Sequence, residues 1–195
     1  MSQYGHLISN TASATPLDIW APSDKFLKPE ISDQVALGYL QNFGGYNYSL
    51  EVETFYKTIK NKADYIDGAN LIAHKAIERV LLNGKARSYG LELMARKNSG
   101  RLTGWLSYTL SKAEQQTPGR NTNEPGINNG KWYRANYDKL HNLSVTGAYQ
   151  LSKKWSLGGT FTFQSGKAAT FPNGKYEYQG ITIANYGTRN ANSLA

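Results

Sequence analysis

Between Asp33 and Gln164 apolar or aromatic residues repeatedly alternate with small polar ones. A period of two confines the chain to β-strands with one apolar and one polar face. In the segment 46–56, Tyr46, Tyr48, Leu50, Val52 and Tyr56 share one parity and Asn47, Ser49, Glu51 and Glu53 the other, with Phe55 the exception. In 88–96, Tyr89, Leu91, Leu93 and Ala95 oppose Ser88, Gly90, Glu92 and Arg96. In 101–111, Leu102, Leu106, Tyr108 and Leu110 oppose Thr103, Ser107, Thr109 and Ser111, with Trp105 on the polar parity. The segments 142–151 and 155–164 repeat the pattern through Leu143, Val145, Tyr149 and Leu151 and through Trp155, Leu157, Phe161 and Phe163. With 33–43, where Val35, Leu37 and Tyr39 alternate with small residues, six strands are expected, and 4–9 is a candidate seventh.

The connections alternate in length. Tight turns are expected at Gly44-Gly45, Asn98-Ser99-Gly100 and Ser152-Lys153-Lys154, each closing a hairpin. Every second connection is long: 57–87, 112–140, and from Ser165 onward. A soluble sandwich distributes its loops over both ends, whereas an outer-membrane barrel has short turns at one end and long loops at the other. The polar parity is mostly Ser, Thr, Asn, Gln and Gly, as in a barrel lumen. Tyr46, Tyr56, Trp155 and Phe163 lie near strand ends, where interfacial aromatics gather. The expected fold is all-β, a portion of an antiparallel up-and-down transmembrane β-barrel. The alternative is a soluble carbohydrate-binding or adhesive β-domain, which would stay monomeric without detergent.

Composition narrows the function classes. The 195 residues carry 22 Lys and Arg against 14 Asp and Glu, a net charge of +8, and no Cys, which excludes disulfides and thiolate metal sites. Apolar runs never exceed three residues, too short for a transmembrane helix. The first residues show no basic and apolar signal-peptide pattern. Six or seven strands fall short of a closed barrel, so residues 1–195 are expected to be part of a larger one. The cations are scattered and few fall on any strand face, so nucleic acid is not expected as a partner.

Several motifs carry a resemblance. Gly104-Trp-Leu-Ser-Tyr-Thr-Leu-Ser-Lys112, preceded by Ser88-Tyr-Gly-Leu-Glu-Leu93, resembles the barrel of TonB-dependent outer-membrane receptors. So do Leu27-Lys-Pro-Glu-Ile-Ser32, Glu53-Thr-Phe-Tyr-Lys57, Tyr137-Asp-Lys-Leu-His-Asn142 and Phe163-Gln-Ser-Gly-Lys-Ala-Ala-Thr-Phe-Pro172, in the family's order. The resemblance implies a barrel of about 22 strands filled by a plug domain. It also implies outer-membrane lipid around the barrel, and uptake of a scarce ligand, such as a siderophore or glycan, with energy passed through TonB. On this reading the chain is an internal stretch of the barrel's C-terminal half, lacking plug, signal peptide and final strands, and located in the outer membrane of a Gram-negative bacterium.

Candidate chemistry is sparse. Glu51 and Glu53 share a strand face but read as lumen lining or plug contact, as do Glu92 and Arg96. The segment 64–70 lacks the spacing of a calcium loop, and His6, His74 and His141 have no ligand spacing, so no metal is expected. The segment 70–82 fits a short amphipathic helix or a β excursion. In Lys131-Trp-Tyr-Arg134, rings adjoin cations, which suits stacking on a sugar or aromatic ligand as well as packing within a loop. Tyr65, Trp132, Tyr133 and Arg134 are the candidate ligand-binding residues. No motif supports catalysis, and neither catalytic residues nor cofactors are expected.

Overall fold

The computed structural model describes residues 2–7, 20–66, 77–168, 172–178 and 180–186. Its strands are β1 (Ser2–Gln3), β2 (Gly5–Leu7), β3 (Trp20–Pro22), β4 (Glu30–Phe43), β5 (Tyr48–Tyr65), β6 (Leu81–Lys97), β7 (Leu102–Gln116), β8 (Tyr133–Arg134), β9 (His141–Gln150), β10 (Ser156–Gln164), β11 (Pro172–Tyr178) and β12 (Ile181–Tyr186). One antiparallel sheet runs β1-β4-β5-β6-β7-β9-β10, with β8 paired to the far end of β7. Two small hairpins, β2-β3 and β11-β12, stand apart from it. Among the described residues the sheet is not closed.

Register turns the sequence alternation into two continuous faces. Tyr39, Val52, Leu93, Tyr108, Leu143 and Phe163 stand side by side across β4, β5, β6, β7, β9 and β10. The row nearer the short turns is Gln41, Leu50, Ala95, Leu106, Val145 and Phe161. We call this the outward face. The opposite face carries the row Gly38, Glu53, Glu92, Thr109, Asn142 and Gln164. A one-residue slip of any strand would exchange the faces, so the register is set by the apolar pattern.

Among the described residues no second sheet covers the outward face. Val35 is 75% exposed, Leu37 74% and Phe161 61%, values that a sandwich layer would bring close to zero. From Tyr48 to Tyr56 the chain rises about 27 Å at ~3.4 Å per residue. At a barrel tilt of about 40° that is about 20 Å of bilayer normal, comparable with the ~25 Å apolar band of outer-membrane barrels.

Tight turns join β4 to β5, β6 to β7 and β9 to β10, all at one end. At 44–46 three successive residues have positive φ: Gly44 57°, Gly45 62° and Tyr46 70°. Tyr46 therefore belongs to the turn, and β5 starts at Tyr48. Gly104 is needed where β7 meets β9, because a Cβ there would strike the Thr146 carbonyl.

The first long connection differs from its loop-like text. β5 runs on to Tyr65 and β6 starts at Leu81, so these strands project well past the Tyr56–Tyr89 row. A bulge at Asn61, φ 57°, shifts the ladder between Lys60 and Lys62 and reverses the parity beyond it. Of the segment 70–82, residues 70–76 lie outside the described residues, as does His74. The remainder is a short 3-10 turn, Ile77–Arg79, leading into β6.

Buried apolar side chains concentrate at this projecting end. On the outward side Leu27, Val80 and Leu81 pack with Ala63, Tyr65 and Ile66. On the lumen side Leu82, Ile127, Tyr133 and Ala168 pack together. The connection 117–132 thus folds back over the strand ends, anchored by the buried Ile127 within it and by the buried Tyr133 that follows it in β8.

Candidate functional site

The strand pairing of β8 divides the loop tripeptide 132–134 between the two sides of the sheet. Tyr133 stands opposite Gln115 and Arg134 opposite Glu114. Tyr133 packs into the lumen-side cluster, where its hydroxyl donates to Asp64 Oδ2 at 2.7 Å and receives the Thr117 hydroxyl proton at 2.8 Å. Asp64 Oδ1 accepts the Tyr65 N–H at 2.8 Å. Asp64 therefore joins Tyr65 and Tyr133, two of the four candidate binding residues.

Trp132 and Arg134 belong to the other side. The Arg87 guanidinium lies 4.2 Å from the centroid of the Trp132 ring, and the Arg87 Nε donates to Glu114 Oε2 at 2.8 Å. Lys112 Nζ is 2.8 Å from Glu114 Oε1, so both oxygens of that carboxylate face a cation. The ring thus stacks on a guanidinium already fixed by an ion pair.

Asp138 organises the approach to β9. Its Oδ1 accepts the Ala113 N–H at 2.7 Å, standing in for a ladder carbonyl, and its Oδ2 accepts from Arg134 Nε at 2.7 Å. Asp138 is only 2% exposed, so this pair lies in a low-dielectric setting where breaking it is costly. Arg134 Nη2 is the one buried side-chain polar atom without a hydrogen-bond partner among the described residues.

Nearby, Tyr108 Oη and His141 Nδ1 share a 2.8 Å hydrogen bond, and the His141 N–H donates to Ser165 Oγ at 3.0 Å. Tyr108, His141 and Ser165, from three of the segments quoted from the sequence, thus meet mid-way along β7, at the start of β9 and just past the end of β10. A TonB dependent receptor-like β-barrel family model matches residues 2–193. The chain belongs to the TonB-dependent receptor barrel family. The family is one of outer-membrane transport receptors, whose general partners are a plug domain, TonB and a ligand. No curated protein and no solved structure is significantly similar to this receptor chain.

The aromatics expected at the membrane interfaces take distinct positions in the sheet. Tyr56 stacks on Tyr89 with ring centroids 6.3 Å apart, on the loop side of the apolar rows. Tyr46 and Trp155 sit at the short-turn end, and Phe163 is the last outward residue of β10. Lys97 also lies at the short-turn end, with its Nζ 2.8 Å from the Tyr48 hydroxyl and over that ring, the posture of a cation at an interface. The row Phe43, Tyr48, Lys97, Gly104, Gly147 and Gly159 ends in three glycines. Around Gly104 and Gly147 an apolar groove of about 610 Å³ opens on the wall.

The lumen face holds Glu53 directly opposite Glu92, with Glu51 two residues along. Among the described residues no group of His, Asp or Glu is arranged to hold a metal ion. Sequence reasoning missed Asp64, at the end of β5 with Tyr133 as a partner 69 residues away, and Asp138, whose acceptor role toward the Ala113 N–H spans 25 residues. Asp138 does fall inside the 137–142 motif.

Proposed function

We propose that this chain is a stretch of barrel wall from an outer-membrane receptor that takes up a scarce ligand, a siderophore, glycan or similar molecule, with energy delivered through TonB. The observation that carries this reading is the outward face, predominantly apolar across six strands and left uncovered by any other layer among the described residues. Outer-membrane lipid is its medium, and the lumen face, with Glu51, Glu53 and Glu92, is available to a plug supplied elsewhere in a longer receptor.

The ligand would meet the loop end. Trp132 offers an aromatic face, Arg134 a cationic charge held in place by Asp138, and Tyr65 and Tyr133 shape the adjoining wall through Asp64. The residues serve binding, with no catalytic step and no cofactor.

Fractionation of source cells, probed with an antibody raised against this chain, tests the reading. A band in the outer membrane well above 21.7 kDa is expected. A soluble band near that mass would overturn it in favour of a free β-domain.

A further inference from the structure

Lys60 and Lys85 stand directly opposite each other on β5 and β6, on the outward parity. Side chains so placed have Cβ atoms about 4.5–5.5 Å apart, and like charges there repel. Both lysines are exposed, and among the described residues neither forms an ion pair. The nearby carboxylates are already engaged: Glu114 by Arg87 and Lys112, Glu30 by Lys62.

The two lysines line a cavity of about 370 Å³ with Asn61, Asn83, Gly84, Gln116 and Pro118. Its walls are fixed. Asn61 Nδ2 donates to the Pro29 carbonyl at 2.9 Å, Asn83 Nδ2 to the Phe26 carbonyl at 3.2 Å and Gln116 Nε2 to the Gly130 carbonyl at 2.9 Å. The Asn61 bulge breaks the ladder just beside Lys60.

Height along the wall identifies the medium. Lys60 lies four residues beyond Tyr56, about 14 Å further along the strand at ~3.4 Å per residue, or about 10 Å along the bilayer normal at a tilt of about 40°. Headgroups occupy about 5–7 Å beyond the hydrocarbon, and lysine ammoniums reach back toward that layer on flexible stems.

We propose that Lys60 and Lys85 form a binding site for a phosphomonoester anion, supplied by the headgroup of a membrane lipid that packs against the outward face. The anion lies between the two ammoniums and removes their repulsion. The lipid source rests on the reading of this face as lipid-facing; the anion site itself does not.

The full-length receptor, purified in neutral detergent, is transferred to phosphatidylcholine vesicles with or without phosphatidic acid, and its thermal midpoint is read. Inorganic phosphate is titrated separately in detergent. The wild type should gain several degrees from phosphatidic acid, K60Q/K85Q should lose that gain, and K153Q/K154Q, with the same charge change at the short turns, should keep it. In phosphatidylcholine alone K85Q should melt above the wild type, because the repulsion is gone; this single variant also serves if the double variant does not fold. An equal response to inorganic phosphate would retain the anion site and assign it a soluble ligand. No response in the wild type, or the same response in all variants, would overturn the proposal, whatever fractionation shows about the compartment.

Discussion

The Tyr133 hydroxyl donates to Asp64 Oδ2 at 2.7 Å across 69 residues of sequence, tying the projecting end of β5 to the connection between β7 and β9. With Thr117 on the same hydroxyl, the bond anchors the loop end from the lumen side.

Tyr133→Phe keeps the ring in its apolar cluster and removes this link. Loss of one hydrogen bond to a buried carboxylate costs about 1.5–3 kcal/mol. Amide exchange in 117–134 should accelerate by one to two orders of magnitude while β9 and β10 stay protected. Unchanged exchange would mean that the hydroxyl adds nothing to the anchoring.

Asp138→Ala should be more damaging, because it strands both the Arg134 guanidinium and the Ala113 N–H. Removal of one partner from a buried pair costs about 3–5 kcal/mol. Asp138→Asn retains an acceptor for the Ala113 N–H and should fall between Ala and the wild type. The amount of folded, heat-modifiable barrel in the membrane fraction reads the series, and an order other than wild type above Asn above Ala would refute the ladder-substitute role.

Charge placed within the apolar rows separates the two faces. Leu106→Arg on the outward face should cost about 2–4 kcal/mol at mid-membrane. The neighbouring Ser107→Arg points to the lumen and should be tolerated. If both variants assembled equally well, the outward assignment would fail.

Glu124 gives a pH prediction at the loop tip. The Arg120 guanidinium clamps its carboxylate through Nε at 2.9 Å and Nη2 at 2.6 Å, and the Arg120 N–H adds a third bond at 2.8 Å. These bonds hold the Glu124 carboxyl at about 2, below its ordinary 4.5. Because the folded value is depressed, the contribution is complete above pH 4.5 and is lost as pH falls through about 2. For a solvent-screened pair it amounts to at most about 1 kcal/mol. A carbon-detected NMR titration should give a midpoint near 2 for Glu124, returning to the usual carboxylate range in Arg120→Gln.

The strands of the apolar band were legible because one medium lies on each side of them, and alternation records that difference directly. β5 beyond Tyr56 was hidden for the opposite reason. Lys57, Lys60 and Lys62 break the pattern, the Asn61 bulge reverses parity, and loop residues cover both faces there. The β11-β12 hairpin carried a signal in Tyr176, Tyr178, Ile181 and Ile183 about Gly180, masked by its place in a long polar connection. Trp132, Tyr133 and Arg134 were visible as a cluster of rings and cations. Their division between the two sides of the sheet depends on pairing with Glu114 and Gln115, and Asp64 and Asp138 acquire partners only through the fold.

The central claim is that the outward face meets lipid and the opposite face water. The chain has no Cys, so single cysteines at Leu91, Glu92, Leu93 and Met94 can carry spin labels without background. In reconstituted receptor, labels at 91 and 93 should be relaxed by oxygen, which concentrates in lipid, and labels at 92 and 94 by a water-soluble nickel chelate. Loss of that alternation, or nickel access at all four positions, would contradict the account.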